Sequence, residues 1–167
     1  QTSYMFVTGP NVIKMVTNEE VSFEELGGAN THSTRSGVSH FMAANDQDCL
    51  LMTRRLLSFL PSNNTDDPPF CEDQHDEMVG SDESMNSLLP ESNREAYDMH
   101  EVINRVVDRA DFMEVQIHFA PNLIVGFGRI EGNTVGIVAN NPQQKAGVLD
   151  IDSSVKGARF IRFCNAF

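Results

Sequence analysis

The stretch Leu123-Ile124-Val125-Gly126-Phe127-Gly128-Arg129-Ile130 runs into Glu131-Gly132-Asn133 and then Thr134-Val135-Gly136-Ile137-Val138-Ala139. The first run is short, apolar and bounded by turn signals, as a buried strand is. Glu131-Gly132-Asn133 is a tight turn, and the second run is the antiparallel partner. Gly126 and Gly128 fall inside the strand and read as close packing rather than as a nucleotide-binding loop. Asn140-Asn141-Pro142 closes the hairpin in a loop. A helix is expected from near Ser153-Ser154, with Phe160, Phe163, Cys164 and Phe167 on one face. That face continues to the last residue and expects more protein to pack against. Strand, turn, strand and helix make this an α/β chain.

Upstream of the hairpin, Asp98 with Glu101 starts a helix whose apolar face is Met99, Val102, Ile103 and Val106. Asp111 is expected to cap a second short helix through Phe119. Near the beginning, Tyr4-Met5-Phe6-Val7 reads as a buried strand. Gly9-Pro10 ends it, and Pro10 is placed to begin a helix over Asn11–Val16. Ser22-Phe23-Glu24-Glu25 fits a capping box, with Gly27 supplying a left-handed stop. Val38-Ser39-His40-Phe41-Met42 alternates as a half-buried strand does. Asn45 caps a helix with the stripe Cys49, Leu50, Thr53, Leu56, Leu57 and Leu60, which Pro61 stops.

Between the halves lies a stretch with Pro61, Pro68, Pro69 and Pro90. Asp66, Asp67, Glu72, Asp73, Asp76, Glu77, Asp82 and Glu83 crowd it, and Arg94 is its only strong base. Little apolar periodicity is present, so it reads as a solvated linker. The expected organisation is a first unit over 1–60, a linker over 61–97 and a second unit over 98–167. The acids lack the spacing of a calcium loop, and no metal site is expected.

The chain has 167 residues, 40% hydrophobic, with a formal net charge of -12. Its pI is about 4.6. Such acidity argues against a nucleic-acid partner, although a local pocket of backbone N–H groups and one or two Arg can still hold a phosphate-bearing cofactor. Arg35, Arg129, Arg159 and Arg162 are candidates for that task, but packing or ion pairing explains Arg159 and Arg162 equally well. No apolar run approaches the length of a membrane span. Three cysteines, Cys49, Cys71 and Cys164, form no CxxC pair, and Cys49 and Cys164 read as buried thiols in a reducing compartment.

Two loops can carry chemistry. Gly27-Gly28-Ala29 could bring backbone N–H groups close to a ligand, or could be a plain helix end. His32 and His40 could act as bases, or could be an exposed loop histidine and a satisfied sheet histidine. Asn140 and Asn141 sit where a strand ends, a common ligand site and equally a polar turn.

The runs Phe6-Val7-Thr8-Gly9-Pro10, Glu25-Leu26-Gly27-Gly28-Ala29 with His32, Ser36-Gly37-Val38 with His40, Ile124-Val125-Gly126-Phe127 and Asp152-Ser153-Ser154 with Lys156-Gly157-Ala158-Arg159-Phe160 decide between these readings. Together they resemble the carboxyltransferase subunits of biotin-dependent acyl-CoA carboxylases, in particular the propionyl-CoA carboxylase β type. Methylmalonyl-CoA decarboxylase α chains and the transcarboxylase central subunit share the same runs. The resemblance implies a crotonase-like spiral fold, with 1–60 ending one domain and 98–167 opening the next. It implies carboxyl transfer from carboxybiotin to the α-carbon of a short acyl-CoA, using two backbone oxyanion sites and no metal. Biotin would arrive on the carrier domain of a partner, beside a biotin carboxylase subunit. A homo-hexamer in the cytoplasm or the mitochondrial matrix is implied as well. The family's oxyanion pairs correspond to segments outside these residues, so the isolated chain is expected to be catalytically incomplete, a binding or assembly fragment. Gly27, Gly28, Ala29, His32, Ser36 and Gly37 are then expected along the substrate channel, with Asn140 and Asn141 on the biotin side.

Overall fold

In a computed structural model, residues 3–72, 83–92 and 95–167 are described. Asp73, Asp76, Glu77, Asp82 and Arg94 of the expected linker lie outside them. Three antiparallel strands form one sheet in the order β1-β2-β3: β1 (Met113–Val115), β2 (Leu123–Ile130) and β3 (Asn133–Asn140). Leu123 pairs with Asn140 and Ile130 with Asn133, so the hairpin read from sequence is present with its turn reduced to Glu131-Gly132. Both turn residues have positive φ, +52° and +76°, the geometry that matches the twist of a two-residue hairpin.

Strand β2 is central and buried on both faces. Leu123, Val125 and Phe127 point to one core with Met113, Val115, Phe59 and Phe160. Phe127 gathers the rings of Phe160, Phe59 and Phe163 at centroid distances of 5.1, 6.0 and 6.0 Å, which adds aromatic contact to the apolar burial. The opposite face carries Ile124 against Ile103 and Val107. Gly126 is on that face too, where an added Cβ would lie 2.5 Å from a carbon of the Phe112 ring, so close packing does explain this strand glycine.

Six α-helices accompany the sheet among the described residues. Pro10 opens α1 (Pro10–Thr17), and Ser22 with Glu25 forms the expected capping box of α2 (Phe23–Gly27). After α2 come α3 (Ala29–Thr34) and α4 (Asp46–Leu57), the latter capped by Asn45. Asp98 caps α5 (Met99–Val106), and Asp150 caps α6 (Ile151–Cys164). Helix α4 and the residues after it pack on the sheet through Met52, Leu56, Phe59 and Leu60. The Arg129 guanidinium is buried, lies 4.2 Å from the Phe59 ring centroid and donates to the Ser58 carbonyl at 2.7 Å. Arg55 forms an ion pair with Asp111.

Several expectations are corrected. Tyr4–Val7 is no buried strand: it makes one bridge, Tyr4 to Gly28, and Val7 is fully exposed. Residues 38–42 form no strand either: two backbone hydrogen bonds hold them, from the Ser39 N–H to the His32 carbonyl and from the Gln116 N–H to the His40 carbonyl. Gly27 is not left-handed; it is the last residue of α2, and Gly28 follows with φ -76° and ψ 166°. No helix runs from Asp111 to Phe119, where β1 stands instead. The α4 stripe is rotated, with Leu50 and Leu57 exposed while Met52 and Leu56 reach the core. On α5, Val106 is exposed and Val107, just beyond the helix, takes its place in the core. Cys49 and Cys164 are exposed thiols rather than buried ones. Part of the linker is also less solvated than expected: Cys71 donates to the Gly132 carbonyl at 3.0 Å, which docks 69–71 on the hairpin turn.

Candidate functional site

Met5, Gly27, Ala29 and His32 come together at one side of a cleft of about 730 Å³, faced by Ser39, Phe41 and the 42–46 segment. Gly27 is needed there because a Cβ would run into the Met5 carbonyl and lie 2.8 Å from the Phe6 ring. The Gly28 N–H donates to the Glu24 carbonyl at 3.0 Å, and the Asn30 N–H to the Glu24 carboxylate at 3.1 Å. These donors are engaged, so Gly28 and Asn30 do not form an oxyanion pair. Gly28, Ser36 and Gly37 stand behind the lining rather than in it.

His32 holds the cleft in shape. Its Nε2 lies 2.6 Å from the Met5 carbonyl oxygen, and its Nδ1 lies 2.9 Å from the Ser36 hydroxyl. A carbonyl only accepts, so Nε2 carries the proton and Nδ1 accepts from Ser36. With both nitrogens engaged, His32 orients the chain and has no lone pair free to act as a base. His40 stands outside this cleft. Burial, and then the charge of Arg159, push its imidazole below the ordinary 6.5.

Gly37 is buried behind the wall with φ +63°, and the Gln116 side-chain Nε2 donates to its carbonyl at 2.5 Å. At the far end of the hairpin, the Asn140 Nδ2 donates to the Gly147 carbonyl at 2.9 Å. Asn141 is buried, donates to the Pro121 carbonyl at 3.3 Å and accepts from the Gln143 N–H at 3.2 Å. Asn140 closes its own loop, Asn141 ties that loop to the start of β2, and neither residue lines the cleft of Gly27 and His32.

Sequence reasoning missed Gln116 and Lys156. Nothing local marked Gln116, which falls where a helix was expected. Lys156 carried a signal: with Ser153 and Phe160 it keeps helical spacing on the buried face of α6. Also missed was His100, held between Asp98 and Glu114 at 2.8 Å each, beside a second cleft of about 540 Å³. Burial works to lower the His100 pKa, but bonds and charge from Glu114 and Asp98 outweigh it and raise it above 6.5. A raised pKa stabilises the fold fully below 6.5, and that contribution is lost as pH rises through the higher folded value. The expected outcome is a melting temperature that falls as pH is raised past 6.5, with the slope flattened in His100→Gln. An unchanged slope in thermal melts of the variant would show that the clasp does not couple to folding.

No helix among the described residues is long and apolar enough to cross a membrane. Among them, no three His, Cys, Asp or Glu side chains gather as a metal site.

The architecture is that of the crotonase-like carboxyltransferase fold. It superposes on the crystal structure of transcarboxylase 12S, a hexamer with hydrolysed methylmalonyl-coenzyme A bound, with a TM-score of 0.94 at 43% identity, over 98% of this chain and 32% of that one. The carboxyl transferase domain model matches residues 1–167, and the chain belongs to that family. It is 52% identical to the propionyl-CoA carboxylase beta chain of Saccharopolyspora erythraea, over 100% of this chain and 32% of the relative. It is 53% identical to methylmalonyl-CoA decarboxylase subunit alpha of Veillonella parvula, over 99% and 32%. The chain thus spans about a third of the length of the relatives it matches.

Proposed function

We propose that the protein carrying these residues moves a carboxyl group from carboxybiotin to the α-carbon of a short acyl-CoA, converting propionyl-CoA to methylmalonyl-CoA. The observation that carries this reading is the superposition on transcarboxylase 12S, whose crystal structure holds hydrolysed methylmalonyl-coenzyme A. The cleft suits one part of such a substrate. Small and apolar residues dominate its lining and no Arg or Lys enters it, so it fits an acyl or pantetheine segment better than phosphates. Gly27, Gly28, Ala29, His32, Ser36 and Gly37 shape that channel, three from the lining and three from behind it.

Biotin, when bound, supplies the carboxyl group from its ureido nitrogen. The Asn140–Asn141 loop does not fit a donor role toward it, because its side-chain amides already donate to the Gly147 and Pro121 carbonyls. That loop contributes shape on the biotin side, and no step of the reaction is assigned to it. In this reading 1–60 closes one domain, 61–97 links, and 98–167 opens the next. The partners are a biotin carboxyl carrier domain and a biotin carboxylase subunit, the assembly is a homo-oligomer, and the compartment is a reducing one, cytoplasm or mitochondrial matrix.

The 53% identity to a decarboxylase alpha subunit supports a second reading, decarboxylation of methylmalonyl-CoA onto biotin, with transcarboxylation as its relative. An ATP-dependent biotin carboxylase partner selects the first reading, and a membrane decarboxylase subunit the second. The direct test is an assay of the full-length subunit with propionyl-CoA and a carboxylated carrier domain. Methylmalonyl-CoA is the expected product; acyl-CoA binding without any carboxyl exchange overturns the proposal.

A further inference from the structure

Besides the turn bond its carbonyl accepts from the Phe119 N–H, three contacts radiate from Gln116, which is buried and has a backbone φ of +55°. Its backbone N–H donates to the His40 carbonyl at 2.9 Å, and its Nε2 donates to the Gly37 carbonyl at 2.5 Å. Its own carbonyl accepts from the Lys156 ammonium at 3.1 Å. Lys156 is 1% exposed and also donates to the carbonyls of Phe119 and Ala120 at 2.8 and 3.4 Å. An ammonium has three N–H donors, and here each meets a carbonyl. The turn from Gln116 to Ala120 is therefore fastened to α6 on one side and grips residues 37–40 on the other.

Residues 37–41 depend on that grip. They belong to no strand, and Ser39 and Phe41 line the cleft. The other backbone tie of this wall runs from the Ser39 N–H to the His32 carbonyl of α3 at 3.2 Å. Phe41 packs on the core of Met113 and Val115, and the hydrogen bonds that tie the wall to the 116–120 turn are those of Gln116.

We propose that Gln116, seated on Lys156, is a positioning residue that sets the 37–41 wall of the cleft for the acyl-CoA substrate. This deepens, and rests on, the carboxyltransferase reading above. Gln116 touches no reacting atom, so its loss removes binding that ground state and transition state share equally. That raises KM and leaves kcat in place.

The test uses the full-length subunit assembled with its biotin-bearing partners. Gln116→Asn tolerates the left-handed backbone and keeps both backbone contacts, but is one methylene too short to reach Gly37. The expected result is a KM for propionyl-CoA raised about fivefold, the equivalent of one neutral hydrogen bond, with kcat preserved. Amide exchange across 37–41 should quicken in the same variant. Gln116→Leu, which keeps the volume and loses the donor, should show the same split, and serves if the Asn variant folds poorly. An unchanged KM with unchanged exchange overturns the proposal. So does activity that falls only with the folded fraction while KM stays constant. If the native subunit forms no methylmalonyl-CoA, the carboxyltransferase reading fails instead, and exchange at 37–41 still reports whether Gln116 positions the wall.

Discussion

Asp108→Ala is expected to destabilise the fold by about 3 kcal/mol. The Asp108 side chain is buried at the end of α5. Its Oδ1 accepts from the Glu131 N–H at 3.0 Å and its Oδ2 from the Gly132 N–H at 2.8 Å. Those N–H groups belong to the two turn residues with positive φ that set the register of β2 against β3. Hydrogen bonds to a charged acceptor contribute about 1.5–3 kcal/mol each, and an N–H left buried adds its desolvation. The two do not sum fully, because Glu131 is exposed and water can reach its N–H. Asp108→Asn keeps one accepting oxygen and turns an NH₂ toward the other donor, so about half the loss should remain. Urea unfolding of both variants checks this, with an unchanged slope showing that the denatured state is the same. A loss under about 1 kcal/mol in Asp108→Ala would mean that the turn is held by its own backbone and not by the carboxylate.

What was legible in the sequence follows from how local each determinant is. The β2–β3 hairpin announced itself because a buried strand, a turn with Gly132 and an alternating partner are adjacent in sequence. Helix starts were equally plain, since a cap is a short-range bond: Ser22 to the Glu25 N–H, Asn45 to the Asp48 N–H, Asp98 to the His100 N–H. Residues 4–7 and 38–42 look like strands, but a strand needs a ladder partner. Tyr4 finds one bridge at Gly28, and His40 finds one bond at Gln116. The stripe of α4 was ambiguous because Leu50, Leu51, Leu56 and Leu57 supply apolar groups on more than one face. Only the placement of Phe59 under Phe127 decides that Met52 and Leu56 turn inward. The Gly27–His32 side of the cleft came from one contiguous motif. Gln116 acts across 79 residues of sequence and through a left-handed backbone, and neither property leaves a local pattern.

Gly37→Ala is expected to cost about 3 kcal/mol and to weaken acyl-CoA binding, and the two effects have separable causes. At φ +63° an L-residue pays the left-handed penalty, about 1–2 kcal/mol. Its Cβ would also lie 2.6 Å from the Phe119 ring, well inside contact distance. Overpacking of that kind costs about 1–3 kcal/mol unless the neighbour moves. Phe119 has little freedom to move, because it is buried and its own carbonyl is bonded to Lys156 at 2.8 Å. The strain should therefore push outward on residues 37–41 and narrow the cleft at Ser39 and Phe41. A double-mutant cycle with Phe119→Leu separates the causes. In the Leu background the steric share should vanish, leaving about 1–2 kcal/mol from the backbone alone. Binding should recover with it, since the wall would no longer be displaced. If Gly37→Ala weakens acyl-CoA binding equally in both backgrounds, the ring is not the origin of the defect. The left-handed turn itself would then be what shapes the channel.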